Sequence, residues 1–150
     1  MSDSIVAVVF TIGEARFALP VERIHGIERT LPVTRLPYYP EYLKGVVNLH
    51  GTVLPVLSLT EMFTRTEQRV TDESRLIIVT ADGRKAALLA DGAQDVASLE
   101  RSTMIDAVEN MGGIPSHFIQ GVAQDSSGVS VGLLDLDKVL KEEMESLGKL

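Results

Sequence analysis

The chain of 150 residues is acidic, with a formal net charge of -7 at pH 7, and it contains no cysteine. Its length fits one domain, and a hydrophobic content of 45% is enough for a sizeable core. The negative charge repels phosphate backbones, which argues against nucleic-acid binding. The lack of cysteine excludes disulfides and thiolate zinc sites, and the first apolar run, residues 5–10, is too short for a signal sequence or a membrane span. We therefore expect a cytoplasmic protein without membrane insertion.

Short runs of valine, isoleucine and leucine that end at glycine or polar turns predict a mainly β fold. Residues 5–12 and 16–19 flank Gly13, which can adopt the positive φ that the first position of a type II′ turn requires. A hairpin therefore opens the chain. Residues 31–40 contain three prolines, which remove backbone donors, so we predict an irregular connection there.

After this connection, Ser58 can cap a short helix that ends at Phe63. Residues 65–73 lack periodicity and are interpreted as a linker. Residues 75–81 and 84–90 then flank an Asp-Gly pair, which is a strong signal for a two-residue hairpin loop. Both halves of the chain thus open with a hairpin.

Residues 101–115 lack the alternation of a strand, so we predict no strand there. Further on, Asp135 can cap an amphipathic helix that Gly148 ends. We interpret the apolar stripe of this helix as core packing rather than as a partner surface. The stripe consists of Leu136, Val139, Leu140, Met144 and Leu147.

A weak internal repeat organises the chain. Residues 42–47 and 118–123 share the order aromatic, aliphatic, polar, glycine and two apolar residues, and each copy precedes a turn, a strand and a helix start. Residues 1–64 and 74–150 therefore suggest two versions of one five-stranded unit. We expect two small barrels with a groove where they meet. Any two strand, turn and strand units share some similarity, and the sequence alone leaves that alternative open.

The sequence contains one pattern typical of a catalytic site, but in the wrong context. Residues 128–132 match the G-x-S-x-G pattern of a hydrolase, but Ser130 alternates with valines inside a predicted strand, and no histidine follows it. His25, His50 and His117 are too far apart in sequence to indicate a metal site. We expect no catalytic residue, cofactor or metal; an enzyme would need a pocket that joins Ser130 to a histidine. His50 precedes a glycine at a predicted turn and is a candidate contact residue.

One ordered set of residues around the first copy of the repeat resembles the signature of the CheW family. The set comprises Leu36, Pro37, Pro40, residues 42–51, Val53, Pro55, Val56 and Leu59. The opening strands and residues 88–91 and 133–136 also resemble that family. The resemblance implies one domain over residues 1–150, mainly β, with two intertwined five-stranded SH3-like barrels, short helices and a C-terminal helix. The barrels, about residues 1–64 and 74–150, would exchange terminal elements.

By this resemblance the chain is a non-catalytic adaptor that couples chemoreceptors to the histidine kinase CheA in arrays at the membrane. One barrel face would bind the regulatory domain of CheA, and the resemblance does not specify the residues of that face. The groove between the barrels would accept the helical-hairpin tip of a chemoreceptor by its apolar ridge. The candidate groove residues are Ile24, Gly26, Ile27, Gly45, Val46, Asn48, Leu49, His50, Gly51 and Val53.

Two positions depart from the family pattern. His50 replaces the arginine of an Asn-Leu-Arg-Gly motif, and Gly26 stands where many relatives carry an acidic residue. We hypothesise that receptor affinity rises as pH falls, because a protonated His50 would pair with a receptor carboxylate.

These departures leave room for a CheW-like adaptor of a pilus-motility or other chemosensory-like pathway. A third candidate is a small-barrel protein that binds nucleic acid. It would need a basic stripe with stacking aromatic residues, and the acidic charge and the aromatic content of 5% oppose it.

Overall fold

The structure, a computed structural model, describes residues 3–35, 42–64, 66–81, 83–106 and 118–147. Within these ranges the chain forms ten β-strands, two α-helices and a single 3-10 turn at Val21–Arg23. The strands are β1 (Ser4–Ile12), β2 (Ala15–Pro20), β3 (Ile24–Arg29), β4 (Leu43–Leu49), β5 (Thr52–Ser58), β6 (Arg75–Ala81), β7 (Arg84–Ala90), β8 (Gly92–Ile105), β9 (Ile119–Gln124) and β10 (Ser130–Leu134). The helices are α1 (Leu59–Thr64) and α2 (Leu136–Leu147).

The strands form two five-stranded sheets. One, here called the barrel, closes on itself in the order β1-β2-β10-β9-β8. The other, here called the second sheet, has the order β3-β6-β7-β5-β4. Neighbours are antiparallel except for β2 with β10 and β5 with β7. The predicted mainly β fold with two five-stranded units is confirmed, and a closed ladder is present in the barrel.

Each sheet takes strands from both halves of the chain. The hairpin β1-β2 pairs with β8 and β10 of the second half, and the hairpin β6-β7 pairs with β3 and β5 of the first half. Read from β8, the closed barrel has the order β8-β1-β2-β10-β9, which matches the order β3-β6-β7-β5-β4 of the second sheet strand for strand. The repeat found in the sequence is therefore also a repeat of topology, with the opening hairpins exchanged.

Both predicted hairpins form. The φ angles of Gly13 and Gly83 are 61° and 74°, in the left-handed region that glycine adopts without steric penalty. β6 and β7 have the predicted bounds. β1 begins one residue earlier than predicted, and β2 begins at Ala15 and ends at Pro20.

Side chains cap both helices. Oγ of Ser58 accepts the N–H of Glu61 at 3.1 Å, and Oδ1 of Asp135 accepts the N–H of Lys138 at 3.2 Å. Each bond satisfies a donor that a helix start leaves without an intrahelical acceptor. Both predicted caps are confirmed, while the predicted end of α2 at Gly148 lies outside the described residues.

Buried apolar side chains form three clusters within the described residues. One consists of barrel strands and one of the second sheet, and the largest draws on both sheets and both helices. Leu136, Val139 and Leu140 of α2 belong to the largest cluster, as predicted. The side chains of Met144 and Leu147 are outside the described set. The junction between the sheets is therefore a filled core.

One prediction is wrong for part of its range. β8 continues to Ile105, although residues 101–115 were expected to contain no strand. The reason is a change of partner: β8 pairs with β1 up to Glu100 and reaches β9 at Ile105, with a register shift between. Such a shift interrupts the alternation by which a strand is recognised. Residues 66–73 of the predicted linker contain neither helix nor strand.

Candidate functional site

Part of the predicted groove lies on β3, at one end of the second sheet. Ile27 pairs with Ile77, whose side chain belongs to the core between the sheets. Paired residues share a face of a sheet, so Ile27 lies at the rim of that core, and it is 41% exposed. Ile24 is half-buried against the same core. A register shift separates Ile24 from Gly26.

Gly26 has room for a side chain. A Cβ placed there would meet only Oε1 of Glu28, at 3.7 Å, which is ordinary van der Waals contact. An acidic side chain at this position would therefore fit, next to a second carboxylate. Packing in this chain does not require glycine at position 26.

The remaining candidates lie on the hairpin of β4 and β5. Leu49 pairs with Thr52 across a two-residue loop in which His50 and Gly51 have φ angles of 51° and 85°. Two positive φ angles indicate a type I′ turn. Oδ1 of Asn48 accepts the N–H of Gly51 at 3.0 Å and so stabilises the turn. The exposed His50 lies at the tip of this hairpin.

Gly45 is required for a close approach within the chain itself. Its φ is 140°, and a Cβ there would overlap the backbone carbonyl of Thr34 and lie 2.9 Å from Cγ1 of Val33. Thr34 and Val46 exchange both backbone hydrogen bonds at 2.9 Å. A Cβ at Gly51 meets nothing within 4 Å, so Gly51 is needed for its φ rather than for close contact.

The apolar candidates of the hairpin differ in exposure. Val53 is 60% exposed, whereas Leu49 is half-buried against the core of the second sheet. Val46 is half-buried too. The structure thus brings residues 48–53 together at one tip and Ile24 to Ile27 together on β3. No ladder pairs β3 with β4, which are the two end strands of the second sheet, so one common groove stays a prediction.

The barrel carries a counterpart of the β3 rim that the sequence analysis did not identify. Val96 on β8 pairs with Val8 and is 57% exposed, as Ile27 on β3 pairs with Ile77. β8 also has a register shift at the matching place. The signal in the sequence is too weak to align the two strands, because β3 and β8 share little beyond their apolar positions.

The groups examined for catalysis lie apart. Ser130 begins β10 in the barrel, whereas His25 is on β3 and His50 on the hairpin of the second sheet. His117 lies outside the described residues. Where the structure describes the chain, no three histidine, aspartate or glutamate side chains are grouped as metal ligands require. No described helix is both long and apolar enough to cross a membrane.

Residues 6–144 match the family model described as CheW-like domain. The chain belongs to the CheW-like family. The resemblance seen in the sequence is confirmed, and it covers both sheets. The architecture is similar to that of the scaffolding protein TtCheW from Thermoanaerobacter tengcongensis, with a TM-score of 0.79, 26% identity, and coverage of 91% of this chain and 86% of that one.

Relatives in this family support the same grouping. Chemotaxis protein CheW of Bacillus subtilis is 28% identical over 136 residues, which cover 91% of this chain and 86% of the relative. Protein FrzA of Myxococcus xanthus is 30% identical over 135 residues, which cover 88% and 82%. The chain is therefore a homologue of chemotaxis coupling and scaffold proteins along nearly its whole length.

Proposed function

We propose that this chain is a non-catalytic adaptor that couples chemoreceptors to the histidine kinase CheA. The observation that carries the proposal is the match of residues 6–144 to the CheW-like domain. The same module in relatives bears the names chemotaxis protein CheW and scaffolding protein. The adaptor would act in the cytoplasm, at receptor arrays on the membrane, without a cofactor.

The receptor contact is proposed on the second sheet. Ile27 on the β3 rim and Val53 beside the hairpin tip are both large, apolar and exposed. Such side chains can receive the apolar ridge of an amphipathic helix, which is how helices dock in grooves. His50 at the tip would meet polar groups at the edge of that contact. The kinase contact would use a barrel face whose residues we do not assign.

The filled junction favours transmission of a conformational signal. Because both sheets and both helices share one apolar cluster, a displacement of β3 or β4 is resisted by packing throughout the molecule. An adaptor of this kind does not need to make or break a covalent bond. It needs to hold its receptor contact and its kinase contact in a fixed relation.

A second candidate is an adaptor of another chemosensory-like pathway, such as one that serves pilus motility. The similarity to Protein FrzA, a relative with a different name, favours keeping this candidate. The departures at His50 and Gly26 fall in the proposed receptor contact and point the same way. The two candidates differ only in which receptor and kinase the chain binds.

Calorimetric titration with a receptor tip fragment and, separately, with the regulatory domain of CheA tests the proposal. We expect the chain to bind both. Ile27→Asp should weaken receptor binding by about tenfold or more and leave kinase binding unchanged, because a buried carboxylate opposes an apolar contact. Val6→Asp is the matched control for receptor binding: Val6 is 46% exposed and also lies on a strand, β1 of the barrel.

Binding to neither partner by a folded chain, using the partners of every chemosensory pathway of the source organism, would overturn the adaptor function. Equal receptor affinity of Ile27→Asp and Val6→Asp would overturn the placement of the receptor contact on β3 while leaving the adaptor function standing.

A further inference from the structure

The barrel and the second sheet differ in how firmly their two end strands are joined. We call this junction the seam; in the barrel it lies between β8 and β9, and in the second sheet between β4 and the segment after β3. In the barrel, β8 meets β9 through the pairs Glu100 with Gln124 and Ile105 with Val122. The hydroxyl of Thr103 also accepts the N–H of Gln124 at 2.9 Å. The barrel seam is therefore held at several points along β9.

Among the residues that the structure describes, the seam of the second sheet has a single point of attachment. The counterpart of the end of β8 is the segment of residues 30–35, here called the strap, which follows β3. Thr34 and Val46 exchange N–H to O bonds at 2.9 Å in both directions. Among the described residues, no other hydrogen bond or ion pair holds the strap. Asn48, the counterpart of Gln124, has no strap partner on its backbone.

The strap borders an open cavity on its inner side. The cavity of about 360 Å³ lies between the strap and the interior of the second sheet. Leu31 and Val33 of the strap line one side, and the buried Val56, Leu76 and Leu89 line the other. Leu31 packs against this core, whereas Val33 is 38% exposed. Beyond Leu31, the bridge between Thr34 and Val46 is therefore the main attachment of the strap.

We propose that the strap is a conformational device that opens by breaking the Thr34–Val46 bridge while the barrel and the rest of the second sheet remain folded. Opening exposes the apolar cavity and frees the edge of β4. β4 carries Gly45, Val46 and Asn48 of the candidate receptor contact, so a bound receptor would bias the open and closed states. This last consequence rests on the proposed function, whereas the opening itself does not.

Amide hydrogen exchange of the free chain, followed by NMR, tests the proposal without any partner. The amide of Val46 should exchange about tenfold faster or more than that of Val122, its counterpart in the barrel, because local opening exposes the first but not the second. Similar exchange rates for the two amides would overturn the proposal.

A disulfide lock gives a second test, since the chain has no cysteine of its own. In the variant with Thr34→Cys and Val46→Cys, oxidation should slow exchange of the backbone amide at position 46 by about tenfold or more, and reduction should restore it. The matched control is Ile105→Cys with Val122→Cys, whose positions are likewise exposed and half-buried. Oxidation of that pair should change exchange of the backbone amide at position 122 little. If both locks slow exchange equally, or neither does, the strap is no separate device.

Discussion

The Nζ atom of Lys44 lies 2.8 Å from Oε2 of Glu61, which joins the edge strand β4 to helix α1. The Glu61 side chain is 8% exposed, and its Oε2 also accepts the backbone N–H of Gln68 at 3.2 Å. The Gln68 amide in turn donates to Asp91, whose other oxygen accepts the N–H of Gly13 at 2.6 Å. One polar network therefore runs from the second sheet, through the linker, to the first hairpin of the barrel.

Loss of the Glu61 charge should destabilise the fold. Glu61→Gln keeps the shape but leaves the Lys44 ammonium, partly buried, without its counter-ion. We expect the free energy of unfolding to fall by about 2 kcal/mol in urea titrations. Asp3→Asn, which removes the exposed pair of Asp3 with Arg101, is the control and should change it by less than about 0.5 kcal/mol. Equal effects of the two substitutions would show that the Lys44–Glu61 pair has no special weight.

The two helix caps should contribute unequally to the free energy of unfolding. Ser58 is buried, and its hydroxyl both accepts the N–H of Glu61 and donates to Oε1 of Gln68 at 2.9 Å. Among the described residues, the side chain of Asp135 makes only its capping hydrogen bond. Ser58→Ala should therefore lower the free energy of unfolding by about 2 kcal/mol and Asp135→Ala by about 1 kcal/mol. Thermal and urea unfolding measure both, and the reverse order would contradict the network.

Local signals in the sequence predicted much of this fold. The bounds of β6 and β7 and the caps at Ser58 and Asp135 follow from turn chemistry, alternation and spacing within a few residues. The network around Gln68 did not follow, because its partners are 7, 10 and 23 positions away and a polar linker residue carries no mark of burial. The continuation of β8 to Ile105 was missed because the register shift at its change of partner interrupts the alternation of the strand.

Substitution of Gly45 should be more harmful than substitution of Gly121, its counterpart in the repeat. A Cβ at Gly45 would overlap the rigid carbonyl of Thr34 at a φ of 140°. At Gly121 the nearest atom is the flexible thioether sulfur of Met104, at 2.5 Å, followed by the carbonyl oxygen of Ile105 at 3.0 Å. We expect Gly45→Ala to force the strap open rather than to prevent folding, and to lower the free energy of unfolding by about 3 kcal/mol, whereas Gly121→Ala should lower it by about 1–2 kcal/mol.

Gly128→Ala separates strain from overlap in this series. Gly128 has a φ of 80°, and a Cβ there meets nothing within 4 Å. Its substitution should lower the free energy of unfolding by about 1 kcal/mol, through backbone strain alone. A Gly45→Ala variant as stable as Gly128→Ala would mean that the strap does not press against β4 in solution.

Charge at the hairpin tip should strengthen receptor binding. His50→Arg supplies a permanent charge at an exposed position, so we expect it to tighten binding of the receptor tip at pH 8 by about threefold or more. Calorimetric titration of the variant and of the unsubstituted chain measures this, with binding to the CheA regulatory domain as the control. Equal receptor affinities of the two chains would remove position 50 from the contact.

The candidate site was predicted less completely than the fold. The family signature located residues 42–53, but it did not predict that the backbone of Thr34, in the chain itself, approaches Gly45 closely. Whether β3 and the hairpin tip form one groove depends on how the two end strands of the second sheet meet. That relation is tertiary, and no spacing along the chain encodes it.

The most direct test of the adaptor function is sedimentation of CheA with receptor-bearing membranes, with and without this chain. Coupling through two separate contacts predicts that the amount of kinase in the pellet rises with added chain until it saturates. The same amount of kinase in the pellet with and without the folded chain would contradict the account.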